Sequence, residues 1–306
     1  MPRAPLLVLL FALLVLAGDR LIAAGLRTVI EASPQAHARL YAGRTRPVDV
    51  LFMGSSRSRE HFPAELIEDR TGQRAANLGW GGLSSEQVEA IFLDFVDRVG
   101  RPRVLVLEVT SPEVDQLMIR NLRLFERDSE RISALVAEEE PTLHALDSLF
   151  GMLRYNNKLF FDMVRYDLGE GDYLTEERID RRTLQRIRRE NHIEWSWRQE
   201  DIEATANIVA RAQELGIAVA PVITPMLPHY LRRLDGFTEW RARVEEALPD
   251  GVRLWDYSSA IRNTDRFRDD LHLNRRGVMQ LVERMRRDGV PGIAAPGRPT
   301  EGRRRD

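Results

Sequence analysis

Val48-Asp49-Val50-Leu51-Phe52-Met53-Gly54-Ser55-Ser56-Arg57 is a short, nearly continuous apolar run that stops at a glycine and two hydroxyls. Apolar character sustained over so few residues marks a strand buried on both faces, as in the middle of a parallel sheet. The serines therefore stand at the carboxyl tip of a strand, where α/β sheets collect their reactive groups. Near the far end, Asp269-Asp270-Leu271-His272 sets an acid three residues before a histidine. Serine, acid and histidine are the parts of an acyl-transfer triad.

Outward from that first strand, strand-like and helix-like blocks alternate. Pro63 to Asp69 reads as a short helix ending near Gly72, and Arg74 to Asn77 as a strand running into Gly79, Gly81 and Gly82. Ser84 or Ser85 caps a helix whose Val88, Ile91, Phe92 and Phe95 follow the helical period, and Gly100 stops it. Val104 to Val109 is the third strand. Beyond Pro112 the pattern changes: from Val114 to about Glu203 only helical pieces are legible. Ala204 to Leu215 is a helix closed by Gly216, Ile217 to Ile223 a strand, and Thr238 to Ala247 a helix. Val252 to Trp255 is a last strand and Arg275 to Arg287 a last helix. Five strands alternating with helices predict an α/β domain over 48–290 with a parallel sheet and a helical cap insertion at about 114–203. The Pro-, Gly- and Arg-bearing stretch 291–306 is expected to be disordered.

The amino-terminal segment has its own logic. Ala4 to Gly18 is almost purely apolar and follows Arg3; Asp19 and Arg20 interrupt it, and Leu21 to Leu26 resumes. The first run alone is shorter than the roughly 20 residues that cross a bilayer, and suits a signal-peptide core. Taken through Leu26 the segment spans. The expectation is an uncleaved signal anchor over 1–27 and a polar tether over 28–47, holding the domain outside the cytoplasm on the inner membrane. A cleaved secretion signal is the second reading.

Composition narrows the chemistry. The formal net charge of the 306 residues is -2, which gives no overall field for nucleic acid. The chain has no cysteine, so disulfides, thiol catalysis and zinc–cysteine sites are excluded. His37, His144, His192 and His229 show no ligand spacing, and neither a metal nor a cofactor is expected.

A serine hydroxyl becomes nucleophilic when an imidazole takes its proton, and the imidazole works better when an acid orients it. Ser56 is the candidate nucleophile, with Ser55 as the alternative; His272 is the base and Asp269 the acid, with Asp270 competing. The oxyanion of the tetrahedral intermediate needs donors, which the main-chain N–H groups of Ser56 and of Gly79-Trp80-Gly81-Gly82 can supply. Trp80 is positioned by sequence to line an acyl or sugar pocket or to pack beneath the cap. Arg57 and Arg59 are expected to form ion pairs on the first helix, and His61 to lie on that helix's outer side.

These blocks resemble the SGNH, or GDSL, hydrolase superfamily over most of residues 48–285. The resemblance implies a flavodoxin-like three-layer fold. It carries the nucleophile to Ser56 in Gly54-Ser55-Ser56, and an oxyanion glycine to Gly82 in Asn77-Leu78-Gly79-Trp80-Gly81-Gly82. It carries the acid and base to Asp269 and His272, followed by Leu273-Asn274 and Gly277. Two departures stand out: Ser55 replaces the family's aspartate, and the third block's asparagine is absent from Leu107-Glu108-Val109-Thr110-Ser111-Pro112, where Ser111 is nearest its position. Gly-Ser-Ser with an Asn-Leu-Gly second block and an anchor is similar to envelope proteins of D-alanyl transfer and alginate O-acetylation. That likeness implies an acyltransferase or esterase acting on acyl (O-acetyl-like) groups of envelope glycans, beside a multi-pass membrane O-acyltransferase. The alternative it leaves is a carbohydrate-binding or scaffold subunit of such a complex.

Overall fold

The computed structural model describes residues 3–109, 117–167 and 174–294. The chain divides into two compact units, one of Met1–Thr45 with Gln116–Asp172 and one of Arg46–Asp115 with Tyr173–Asp306.

The second unit holds five parallel strands: β1 (Val50–Met53), β2 (Ala75–Asn77), β3 (Val104–Glu108), β4 (Ala218–Ile223) and β5 (Trp255–Asp256). Their order is β2-β1-β3-β4-β5, the doubly wound order of flavodoxin-like sheets. All four residues of β1 are fully buried, which is why its sequence is continuously apolar rather than alternating. Val50, Phe52, Val106, Ala220 and Val222 pack with Ile67 of helix Ala64–Thr71 and with Val278, Leu281, Val282 and Met285 of helix Arg275–Asp288. Helices Ser85–Val99 and Gln199–Glu214 pack against each other. The first of these starts with a reciprocal capping box between Ser84 and Gln87 and stops at Gly100, φ +109°.

Two expectations are corrected in this unit. Ile193–Glu194, in the stretch read as strandless, pairs in parallel with Leu234–Asp235; two residues are too few for any period to show. The stretch expected to be disordered from Pro291 packs as far as it is described. Ile293 is fully buried, and a Cβ on Gly292 would lie 2.8 Å from Val50 Cγ1. Only 295–306 fall outside the described residues.

In the first unit, helix Arg3–Ala32 is long and apolar enough over Ala4–Ala32 to cross a membrane. It runs into the stretch read as a tether. There Ala36–Tyr41 forms another helix that buries His37, Ala38, Leu40 and Tyr41. Tyr41 stacks on Phe125 with ring centroids 4.4 Å apart, so these polar-looking residues are core. Leu117–Leu122, Glu130–Glu139, Pro141–Leu149 and Lys158–Asp167 are the helices of the insertion grouped with them. Arg27 bonds Asp128 at 2.8 Å, and Arg123 pairs with the buried Asp147 through two hydrogen bonds. Residues 173–203 group instead with the sheet, so the expected insertion is not one body.

Candidate active site

β1 delivers its last residue to Gly54, whose φ of +135° is closed to side chains. A Cβ there would stand 2.7 Å from the carbonyl oxygen of Glu108. This close approach turns the chain sharply into helix Ser56–His61. Ser55 is its N-cap: the Oγ accepts from the N–H of Arg57 at 3.4 Å and donates to Glu108 Oε2 at 3.0 Å. With both functions engaged and only 3% of its surface exposed, Ser55 is a structural hydroxyl. Ser56 is partly exposed, and its Oγ lies 2.8 Å from His272 Nε2.

His272 stands on a short closed loop. An antiparallel bridge joins Phe267 to Leu273, and Arg268 N–H donates to the His272 carbonyl at 2.9 Å. Asn274 N–H donates to the Arg266 carbonyl at 3.0 Å, and the Asn274 side chain caps the following helix by accepting from Gly277 N–H at 3.2 Å. Gly277 is required there, since a Cβ would sit 2.3 Å from the Arg266 carbonyl oxygen.

The ring's Nδ1 is 3.0 Å from both carboxylate oxygens of Asp269. Asp269 Oδ1 also accepts the N–H groups of Leu271 at 2.9 Å and His272 at 2.7 Å. Burial works against its charge, but the bond and charge of His272 and the two backbone donors outweigh it and hold the carboxyl at about 2. Asp270, the competing acid, is pushed the other way by burial and by the charge of Asp269. Ser56, His272 and Asp269 thus form one hydrogen-bonded chain drawn from both ends of the sequence.

The glycine turn flanks it. A Cβ on Gly81 would lie 3.5 Å from that of Ser56, and one on Gly79 would lie 2.7 Å from Arg59 N and from Ser58 Cβ. Gly82 has φ +82°. Asn77 sews the turn to the helix: its Nδ2 donates to the carbonyls of Ser58 (2.8 Å) and Phe62 (2.7 Å), and its Oδ1 accepts from Gly79 N–H at 2.8 Å. Trp80 is 8% exposed, with the Arg59 guanidinium 5.0 Å over its ring. Ser111 lies outside the described residues.

Four residues behave differently from expectation or escaped it. His61 is fully buried rather than on an outer helix face; the helix is only six residues long, and its last turn is covered by Thr224 and Leu273. Arg57 is buried too. Its Nη2 donates to the carbonyl of Thr224, and its Nη1 stands 3.8 Å from Glu108 Oε1. Burial lowers its pKa and the Glu108 charge opposes that. Glu108 was not singled out, although a lone charge closing the apolar run Val104 to Leu107 is the signal that marks it. Arg268, also unmarked, bridges Glu60 at 2.7 Å and Asp269 at 3.5 Å.

No protein-family model matches the chain, and no curated protein matches it. Among the solved structures it resembles is one from Streptococcus pneumonia, described provisionally as a platelet activating factor. That likeness has 14% identity, covers 93% of this chain and 98% of that one, and has a TM-score of 0.40. At that score it bears on neither fold nor chemistry.

Proposed function

We propose that the chain is a serine-dependent ester hydrolase or O-acyltransferase of the SGNH type, attached to a membrane by helix Arg3–Ala32. The observation that supports this reading is the hydrogen-bonded chain Ser56 Oγ, His272 Nε2, His272 Nδ1 and Asp269, at 2.8 and 3.0 Å. Ser56 Oγ attacks an ester carbonyl while its proton passes to His272 Nε2, and Asp269 holds the resulting imidazolium. The oxyanion takes the N–H groups of Ser56 and Gly82. Collapse expels the alkoxide, which leaves with the proton from His272, and Ser56 keeps the acyl group. Water or a glycan hydroxyl then releases it, with His272 as base. The substrates of this reading are O-acetyl-like esters of cell-envelope glycans, and its partner is a multi-pass membrane O-acyltransferase.

One observation favours a second reading, a binding or scaffold subunit of such a complex: no asparagine follows β3, where the sequence reads Val109-Thr110-Ser111-Pro112 instead. A fluorophosphonate probe on the full chain separates the two. Catalysis requires labelling that Ser56→Ala and His272→Ala abolish and Ser55→Ala retains. A folded chain that stays unlabelled removes the acyl-enzyme and leaves the subunit.

A further inference from the structure

Single exposed apolar side chains are ordinary on any surface, but a cluster is not. Apart from helix Arg3–Ala32, the large apolar side chains left exposed among the described residues are Leu146, Leu149, Met152, Leu153 and Phe161, at 36–54%. All five fall within sixteen residues of the first unit: four flank the turn between Pro141–Leu149 and the 3-10 helix Gly151–Tyr155, and Phe161 stands on helix Lys158–Asp167.

That turn is fastened to the apolar helix by the two charges that interrupt it. Arg20 Nη2 donates to the carbonyls of Ser148 at 3.2 Å and Leu149 at 3.0 Å. Asp19 accepts the N–H groups of Gly151 at 2.7 Å and Met152 at 3.0 Å. The approach is close enough that a Cβ on Gly151 would lie 2.8 Å from Arg20 Nη1 and 3.3 Å from Ala23 Cβ. The backbone groups satisfied here are those a helix end leaves open, and in lipid an open backbone group costs several kcal/mol.

The fastening sets a depth. At about 1.5 Å per residue, a hydrocarbon core of about 30 Å takes up roughly 20 residues of helix, so a span starting at Ala4 reaches about Ala23. Asp19, Arg20 and the turn they hold then lie within about one helical turn of the hydrocarbon edge. At that level the helix is itself bare at Leu21 (75% exposed) and Ile22 (51% exposed).

We propose that Leu146, Leu149, Met152, Leu153 and Phe161 form a second membrane contact, a face of the insertion seated in the lipid surface beside the helix. The inference rests on the helix being membrane-embedded. It makes Asp19 and Arg20 caps of a lipid-seated turn rather than charges left bare in the span.

The absence of cysteine allows the test on the full chain with one label at a time. Leu10→Cys, Leu149→Cys, Phe161→Cys and Glu246→Cys are each labelled with an environment-sensitive fluorophore and reconstituted in phosphatidylcholine vesicles containing spin-labelled lipid. The expected result is severalfold stronger quenching at 10, 149 and 161 than at 246, with 149 and 161 responding most to a shallow spin label and 10 to a deep one. Quenching at 10 with 149 and 161 no different from 246 overturns the lipid contact alone, and leaves that face to a protein partner. Absence of quenching at 10 as well overturns the embedded helix and the contact together.

Discussion

Leu273 donates its main-chain N–H to Nε2 of His61 at 3.0 Å. An accepting Nε2 on a neutral ring puts the proton on Nδ1, which donates to Thr224 Oγ1 at 2.8 Å. A histidine one helical turn beyond the serine is therefore no second base. It fixes the residue following His272, and with it the loop that presents the imidazole. His61→Ala leaves the Leu273 N–H buried without its acceptor and should cost about 1–3 kcal/mol. Urea denaturation should show that loss. Fluorophosphonate labelling should slow while Ser56 itself is untouched.

The same histidine predicts a pH dependence. Burial first, then the charges of Arg57, His272 and Arg268, hold it well below its ordinary 6.5. Below about 6.5 the unfolded chain takes up a proton that the folded chain refuses, so stability is whole above that pH and falls as pH drops beneath it. The limiting slope for one such group is about 1.4 kcal/mol per pH unit. Denaturation midpoints from pH 7.5 down to 5 should fall, and His61→Gln should flatten the fall. A slope unchanged in that variant would assign the effect elsewhere.

Asp269 acts in a lower window. Its folded value of about 2 lies under the ordinary 3.8, so its contribution is present above about 3.8 and lost as pH falls toward 2. Asp269→Asn keeps the shape but loses the charge and the tautomer control on His272. Hydrolysis of a chromogenic acetyl ester should drop by about 10²–10⁴-fold, on the scale seen when serine-hydrolase triads lose that acid. Asp270→Asn, altering the acid that does not bond the imidazole, should leave the rate within about threefold.

Next to Ser56 in the chain, Ser55 and Arg57 both meet Glu108. Glu108→Ala strands a buried guanidinium and should destabilise by about 3–5 kcal/mol. Ser55→Ala removes a cap and one hydrogen bond, about 1–2 kcal/mol. Thermal melts should rank the two in that order, with probe labelling retained in Ser55→Ala.

Much of this was legible because burial imposes pattern. β1 and β3 read as strands since both faces are covered, and Ser56, His272 and Asp269 each follow a recognisable local signal. What stayed hidden has no periodicity to reveal it. The helix Ser56–His61 spans six residues, too short to show which side His61 and Arg57 face. Ala36–Tyr41 is equally short, and its histidine and alanines read as polar linker. The division of the insertion depends on pairings such as Asp19 with Gly151, 132 residues apart, and no local window holds both partners.

That separation also orders events during synthesis. Asp19 is made early, but the N–H groups that satisfy its carboxylate come 132 and 133 residues later. At about 5–20 residues per second, the first helix carries an uncapped acid for on the order of ten seconds. During that interval it is less apolar than in the finished protein. If the helix enters a membrane as proposed, it does so before the turn that completes its hydrophobic character has been made.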